Sequence, residues 1–398
     1  MGMAAVTLAM FSGMAPAAPT GEAVSEVTLP RIVFQGTISL PDSAVDAAGN
    51  HVVVTGLSGI AWLGEDRYAA VMDNSQYLLL FRLSLTQTGK PLKVESLRIV
   101  TLSQRHDYED VVPCPAAVAR ALRRQPRPDS GKDAQEEEFV FLCEEDTPAI
   151  RVFSLTDGSM VAAVPLPDNL RDRRPNRGLE SLAIEPDGRS LWTANEEALA
   201  ADGPPAAAGG GTVVRLTRLP LPVDGPPARS GDAVVGIFQG AYRVDPVHQF
   251  VRMFAGQPLS GLSALAALGN GRLLALERSG APGLPPFNSR IYLVDAGAGV
   301  NISAVERDLA SRREAILEKR LLWADSLGIN LEGLCLGPTL ADGNRALVSV
   351  ADNGGIGTPN QLVGLALVSP TAAFDPALLG VTVAIIAIAV LVGRLTSP

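Results

Sequence analysis

The chain has 398 residues and is acidic, with 33 Lys and Arg against 42 Asp and Glu and a formal net charge of −9. An acidic surface argues against non-specific binding to nucleic acid or to an anionic membrane face, and it favours divalent cations or neutral partners. Aromatic residues make up only 5% of the chain, whereas the 39 Gly and 30 Pro indicate many short strands and turns.

The first 20 residues are mostly small and apolar. Ala15, Pro16 and Ala17 resemble a small-residue cleavage site after an apolar core, so residues 1–20 are predicted to be a signal peptide. No basic residue precedes the apolar run, and an apolar N-terminal segment that is not an export signal is the alternative. A signal peptide predicts that the protein is exported to the periplasm or the cell surface.

One unit recurs through residues 30–370, and each copy consists of two short apolar runs joined by a Gly, Asp or Asn turn, which is typical of a β-hairpin. The copies begin at Gly56, Tyr108, Gly178, Gly261 and Leu331. The copy at Tyr108 is split by a Pro-, Arg- and Glu-rich insertion over 113–138, in which residues 116–124 predict a short helix. Further strands are predicted at 78–83, 149–154, 213–217 and 291–295.

These repeats predict an all-β fold of the β-propeller class. A sheet of three or four strands cannot bury both faces alone, whereas repetition around a ring buries them. About 340 residues at about 40–60 per blade predict six blades, the sixth closed by an early strand at 31–38 and a late one at 361–367. A β-sandwich is the structural alternative, but it would not call for the same unit five times.

Two positions of the repeat are mostly acidic, and in a propeller each would form a ring at one end of the central channel. The first follows the Gly-Leu pair and the second ends the next strand; they hold Ser58, Glu109, Glu180, Ser263 and Glu332, and Asp73, Glu145, Glu196, Glu277 and Asp352. Crowded carboxylates repel one another unless a cation lies between them. Oxygen ligands without a His or Cys cluster favour Ca²⁺, with Mg²⁺ less favoured. The alternative is that these acids accept backbone hydrogen bonds and tie the blades together.

Arg177 and Arg278 each adjoin acids of the repeat, and guanidinium groups suit phosphate or carboxylate ligands. A salt bridge with the neighbouring acid is the alternative role for each. The chain has neither a Gly-x-Ser-x-Gly motif nor a Walker loop, which argues against a serine hydrolase and against nucleotide hydrolysis. Cys114 and Cys143 flank the insertion and are either a disulfide or unpaired thiols.

Residues 377–393 form an uncharged apolar run, followed by Arg394. Seventeen residues is near the lower limit for a membrane-spanning helix, and this run has no polar face. A single C-terminal transmembrane anchor is therefore predicted, with Arg394 on the cytoplasmic side and the large domain outside the cytosol.

Together the motifs resemble the phytase-like family, whose members are called esterase-like activity of phytase proteins. The resemblance is carried by residues 178–183 with 194–196, residues 331–334 with 351–353, and residues 57–60 with 72–74. It implies a secreted or periplasmic propeller that hydrolyses phosphate esters with Ca²⁺. The metal would be held by Asp73, Glu109, Glu180, Glu196, Glu332 and Asp352, and a small phosphorylated substrate would be oriented by Arg177 and Arg278.

The chain departs from the propeller phytases in having few lysines and no Lys/Arg-rich phosphate-binding segment, which argues against phytate as the substrate. Two alternatives to a phosphate-ester hydrolase follow from the same features. The first is a non-catalytic binding or scaffold module at the membrane surface, and the second is a Ca²⁺-dependent lactonase on a similar propeller.

Overall fold

The computed structural model describes residues 29–123, 137–223, 229–230, 233–234, 236–325, 328–352 and 360–369. In this part of the chain the strands form five large sheets, in each of which neighbouring main strands run antiparallel. The predicted β-propeller is confirmed.

Blade 1 follows an initial strand, β1 (Arg31–Ser39), and is the largest sheet. Its strands are β2 (Ser43–Val45), β3 (His51–Val53), β4 (Leu57–Trp62), β5 (Arg67–Met72), β6 (Ser75–Leu85) and β7 (Pro91–His106). Their order in the sheet is β3-β2-β7-β6-β5-β4, so β4 is the edge strand at the ring centre.

Blades 2 and 3 each contain four main strands. Blade 2 has β8 (Tyr108–Cys114), α1 (Ala116–Leu122), β9 (Phe139–Glu144), β10 (Ala149–Ser154) and β11 (Met160–Val164). After a 3-10 helix at Asp168–Arg171, blade 3 has β12 (Leu179–Ile184), β13 (Ser190–Asn195), β14 (Thr212–Pro220), the small pair β15 (Arg229–Ser230) and β16 (Ala233–Val234), and β17 (Phe238–Val244). Helix α1 lies where the insertion predicted a helix.

Blades 4 and 5 complete the ring. Blade 4 contains β18 (Val251–Arg252), β19 (Leu259–Gly269), β20 (Arg272–Gly280), β21 (Gly283–Leu284), β22 (Phe287–Asp295), 3-10 helices at Leu309–Ser311 and Arg313–Ala315, and β23 (Lys319–Asp325); β18 and β21 pair only with each other. Blade 5 has β24 (Asn330–Thr339), β25 (Arg345–Asp352) and β26 (Gln361–Val368), with β1 as its outer strand.

The ring closes with five blades in the described part of the chain, so the prediction of six is wrong. The inner strands contact one another in the order β4, β8, β12, β19 and β24, and β24 contacts β4. Strand β1 pairs with β26 from Arg31 opposite Val368 to Ser39 opposite Gln361. The early and late strands, β1 and β26, therefore complete the blade of the last repeat copy, which supplies only two strands of its own, β24 and β25. Long loops and insertions account for the extra chain length that suggested another blade.

The core lies between neighbouring blades, because alternate residues of a strand face opposite sides of its sheet. In β5, Ala70 and Met72 pack with Val350 of blade 5, whereas Val71 packs with Leu142 of blade 2. Both faces of each inner hairpin are thus buried, which explains why the repeats read as continuous apolar runs rather than alternating ones.

Cys114, Cys143 and Cys335 are buried free thiols, so a Cys114–Cys143 disulfide is wrong. Cys114 pairs with Phe139 and Cys143 with Asp110, which places the two thiols at different heights of blade 2. The predicted signal peptide at 1–20 and the predicted anchor at 377–393 lie outside the described residues. Within the described ranges, no helix combines the length and the apolar character needed to span a membrane.

Candidate metal centre

The first acidic position of the repeat is a β-bulge in every blade. The ladder between the first and second strands skips one residue, as between Leu57 and Gly59 in blade 1. The skipped residues are Ser58, Glu109, Glu180, Ser263 and Glu332. A bulge leaves the extra residue outside the pairing and re-aims its side chain. The same bulge in each inner hairpin therefore brings these five side chains together around the propeller axis.

The second position directly follows the residue of the second strand that pairs with the residue before the bulge. It holds Asp73, Glu145, Glu196 and Asp352 in four blades. In blade 4, Leu262 pairs with Glu277 before the bulge, so the equivalent residue is Arg278. The assignment of Glu277 to this ring is wrong by one residue, because its side chain faces the space between blades 3 and 4. There Glu277 accepts hydrogen bonds from Tyr242 Oη at 2.6 Å, Lys319 Nζ at 2.5 Å and the Asp245 backbone N–H at 3.0 Å.

A third position, two residues before the bulged residue, provides room for these side chains. It holds Gly56, Asp107, Gly178, Gly261 and Asn330. A Cβ on Gly261 would lie 2.3 Å from Glu196 Cγ, so only glycine permits that approach. Asp107 is a site residue that the sequence prediction missed. The feature that could have identified it is an acidic residue at a position where most copies of the repeat have glycine. Its Oδ1 accepts the Asn74 backbone N–H at 2.9 Å.

Two groups of three carboxylates converge on the blade 2 and blade 3 side of the ring. Asp107, Glu109 and Glu145 place one oxygen each within 4.8 Å of one another. Glu145, Glu180 and Glu196 do the same, so Glu145 belongs to both groups. All five residues are buried, which brings several negative charges into a region with little solvent. We call these groups the two acidic triads.

Burial and mutual repulsion raise the pKa values of four of these acids, Asp107, Glu109, Glu145 and Glu180. The pKa of Glu109 and that of Glu180 are raised well above the usual range, by burial first and then by the neighbouring carboxylates. Burial, with Glu196 close by, raises the pKa of Glu145 to about 7. Without a cation, part of this ring therefore holds protons at neutral pH.

The other predicted ligands lie on the blade 5 and blade 1 side of the ring and belong to neither triad in the described ranges. Burial raises the pKa of Glu332 to about 8. Burial and the charge of Asp352 raise the pKa of Asp73 to about 6. Of the predicted ligand set, the triads thus contain Glu109, Glu180 and Glu196, and they add Asp107 and Glu145.

Two arginines offset part of this negative charge. Arg278 places Nη2 2.7 Å from Glu196 Oε1 and Nη1 2.9 Å from Glu332 Oε1. Burial alone would lower the pKa of Arg278, but Glu332 and Glu196 raise it above its usual value. Arg177 Nη1 lies 2.8 Å from Glu196 Oε2. Both predicted substrate-binding arginines therefore lie at the ring, and both form ion pairs there.

Asp110, next to Glu109, has a different role. Its Oδ2 accepts the Leu182 backbone N–H at 2.7 Å and its Oδ1 accepts that of Val111 at 2.8 Å. It is fully buried and joins blade 2 to blade 3, which is the blade-tying role considered for the repeat acids. The sequence prediction did not single out Asp110, because the position of the bulge decides which of two adjacent acids faces the ring and the sequence does not show that position.

The residues present fit a hard divalent cation. The donors of the triads are all carboxylate oxygens, which Ca²⁺ prefers. Among the described residues, buried Glu332 Oε2 has no hydrogen-bond donor. Ca²⁺ takes six to eight oxygens, so three carboxylates leave positions for water and for a substrate oxygen.

Fold and site together define an acid-lined five-bladed β-propeller. The chain matches the model of the family described as Phytase-like: Esterase-like activity of phytase, over residues 52–355, and it belongs to that family. The predicted family is thereby confirmed. A comparison with curated proteins found no match.

Several solved structures are similar to this chain. The Dos1 propeller is 10% identical, with 83% of this chain and 74% of that chain covered and a TM-score of 0.31. Streptogramin B lyase is 11% identical, with coverages of 85% and 98% and a TM-score of 0.30. The PQQ-bound aldose sugar dehydrogenase of Streptomyces coelicolor is 13% identical, with coverages of 83% and 97% and a TM-score of 0.32. Similarity at this level carries no argument about activity.

Proposed function

We propose that this protein is a divalent-cation-dependent hydrolase of phosphate esters, with Ca²⁺ as the ion. The observation that carries the proposal is the pair of acidic triads that share Glu145, with oxygens within 4.8 Å in each. Membership of the phytase-like family supports ester hydrolysis as the reaction class. The weak basic complement favours a small substrate with few phosphates over phytate.

The triads would hold the metal, and Glu145 would be shared between two positions. A bound divalent ion would polarise a phosphoryl oxygen and lower the pKa of a coordinated water. Burial of Glu109 and Glu180 keeps bulk water away and fixes their carboxylates, so the ligands need little reorganisation when the ion binds.

Arg177 is the better placed arginine for contacting a substrate phosphate. Its side chain is 29% exposed, against 12% for Arg278. Its Nη1 donates to its neighbour's carbonyl, Asn176 O, at 2.6 Å, which fixes one side of the guanidinium and leaves its outer edge accessible. A guanidinium recognises phosphate through two parallel N–H donors.

Glu332 is the candidate for proton transfer to the leaving group. It lies outside the triads, and in the metal-free ring burial raises its pKa to about 8. A carboxyl group with a pKa near the working pH is an efficient general acid. The nearby Arg278, 2.9 Å from Glu332 Oε1, would stabilise the carboxylate after the proton leaves.

The proposal includes a place of action outside the cytosol. It rests on the predicted signal peptide at 1–20 and the predicted anchor at 377–393, with the large domain in the periplasm or at the cell surface. Expression of the full chain, followed by membrane fractionation and protease treatment of intact cells, tests it. Recovery in the soluble cytosolic fraction would contradict it.

The activity test uses the purified protein after removal of metal with a chelator. We expect added Ca²⁺ to restore hydrolysis of a phosphomonoester or phosphodiester, and Glu145→Gln to abolish it. Asp187→Asn, in an exposed hairpin turn far from the ring, is the matched control and should retain activity. Ca²⁺ binding with no turnover on a broad phosphate-ester panel would reject the proposal in favour of the binding module. Turnover of lactones alone would favour the lactonase.

A further inference from the structure

Arg278 breaks the charge pattern of the ring. It occupies the position that Asp73, Glu145, Glu196 and Asp352 occupy in the other blades, as the register of β19 and β20 shows. A cation thus replaces an anion at one of five equivalent positions. The bulge at Ser263 is the same as in the other blades, but in blade 4 the strand pairing continues beyond it and Arg278 pairs with Gly261.

The guanidinium of Arg278 is surrounded by carboxylates of other blades. Glu196 Oε1 lies 2.7 Å from Nη2, Glu332 Oε1 lies 2.9 Å from Nη1, and Glu180 Oε1 lies 4.0 Å from Nη2. Asn330 Oδ1 accepts from Nη1 at 3.3 Å. One side chain of blade 4 therefore contacts acids of blades 3 and 5, which places positive charge where three carboxylates converge.

This convergence would bind a cation if the guanidinium were absent. Glu332 keeps one oxygen, Oε2, without a hydrogen-bond donor in the described ranges, although the residue is only 8% exposed. Buried carboxylate oxygens without donors are costly unless a positive charge is near. The donor set resembles that of the acidic triads, because it consists of carboxylate oxygens, with one amide oxygen in addition.

We propose that Arg278 is a built-in cation that takes the place of a metal ion between blades 3, 4 and 5. It thereby confines metal binding to the two acidic triads of blades 2 and 3. This inference rests on the proposed metal-dependent function of the same ring. It implies a one-sided centre, in which exchangeable ions occupy one half and a fixed positive charge occupies the other.

The test is the number of Ca²⁺ ions bound per chain, measured by equilibrium dialysis of the full chain. Arg278→Gln should bind one more ion than the wild type, and Arg278→Lys should bind the wild-type number because it keeps the charge. Arg177→Gln is the matched control: it also removes a cation beside Glu196, but not at the ring position, and it should leave the number unchanged.

The same number of ions, or fewer, in Arg278→Gln would overturn the inference. Folding is checked by circular dichroism and by thermal unfolding with and without Ca²⁺. A variant that folds only with Ca²⁺, or whose Tm rises more with Ca²⁺ than that of the wild type, supports the inference. A variant that stays unfolded at saturating Ca²⁺ rejects it, because the metal then fails to replace the guanidinium.

The outcome is separable from that of the proposed function. A wild type that binds Ca²⁺ without hydrolysing any ester removes the proposed function and leaves the role of Arg278 testable by ion number. If the wild type binds no Ca²⁺ and Arg278→Gln binds one ion, the proposed function is rejected and the role of Arg278 as a substitute for a metal ion is supported. Failure of both proteins to bind Ca²⁺ rejects both proposals.

Discussion

Glu277 and Glu196 are buried glutamates in equivalent hairpins of adjacent blades, and their surroundings differ in one respect. Glu277 accepts from a tyrosine, a lysine and a backbone N–H, and the pair with Lys319 Nζ is 2.5 Å long. Glu196 lies among other carboxylates, and its two oxygens are paired with two arginines that also face those carboxylates, Oε1 with Arg278 at 2.7 Å and Oε2 with Arg177 at 2.8 Å. A buried acid with a complete set of donors stabilises the fold. A buried acid crowded by others is suited to an exchangeable cation.

The largest effect on stability should come from removing Glu277, because it breaks the hydrogen bonds and the ion pair that this residue accepts. Glu277→Ala leaves Tyr242 Oη without its acceptor and removes one partner of Lys319, whose side chain is 16% exposed. We expect the free energy of unfolding to fall by about 3 kcal/mol, as when one partner of a buried ion pair is removed. Urea denaturation should give the same loss with chelator and with Ca²⁺. A loss below about 1 kcal/mol, or one that depends on Ca²⁺, would contradict a structural role.

Stabilisation by metal should be nearly as large and should depend on the ring. At 100 times its dissociation constant, a ligand that binds only the folded state adds about 2.7 kcal/mol. Calcium titration of unfolding should show this gain in the wild type and lose most of it in Glu145→Gln, because Glu145 belongs to both acidic triads. Asp187→Asn should keep the full gain, and an equal loss in that control would show that the effect is not local to the ring.

The response of the pH-dependent stability to Ca²⁺ should separate the two regions further. Burial raises the folded-state pKa of Asp73 to about 6, of Glu145 to about 7 and of Glu332 to about 8. The folded state then binds more protons than the unfolded state, so stability in chelator should fall as the pH rises from about 5 to 8. Thermal unfolding across this range measures it. Saturating Ca²⁺ should reduce the fall, and a rise in stability with pH in chelator would refute the prediction.

The smallest expected effect is an increase in the free energy of unfolding rather than a decrease. Glu180→Gln removes a carboxyl group whose ionisation is opposed first by burial and then by its neighbours Glu109 and Glu196, which together raise its pKa. In chelator this variant should be more stable than the wild type by about 1 kcal/mol, which corresponds to less than one pKa unit. Urea denaturation of both proteins checks the sign. Destabilisation of the size expected for Glu277→Ala would place Glu180 among the structural acids.

The sequence predicted the propeller and most of the ring because both are periodic. The hairpin unit and its acids recur at the same place in each copy, and Glu109, Glu180 and Glu332 were found in this way. The blade count was wrong because loop lengths vary and because β1 completes a blade begun at the other end of the chain. Which of two adjacent residues faces the ring depends on the bulge, so Glu277 was chosen over Arg278 as the ring residue. Asp107 was missed because the equivalent residues are mostly glycine.

The shared β-bulge has a consequence for how such a protein can change over generations. Each bulged residue, from Ser58 to Glu332, contributes its side chain to the ring while the cross-strand ladder skips over it. Substitution there alters the ligands offered at the axis and leaves the strand pairing intact. The residues at the five bulge positions can therefore vary while the strand pairing of the propeller stays the same. Relatives with this frame can acquire a different ion, a different charge balance or no ion at all through single substitutions.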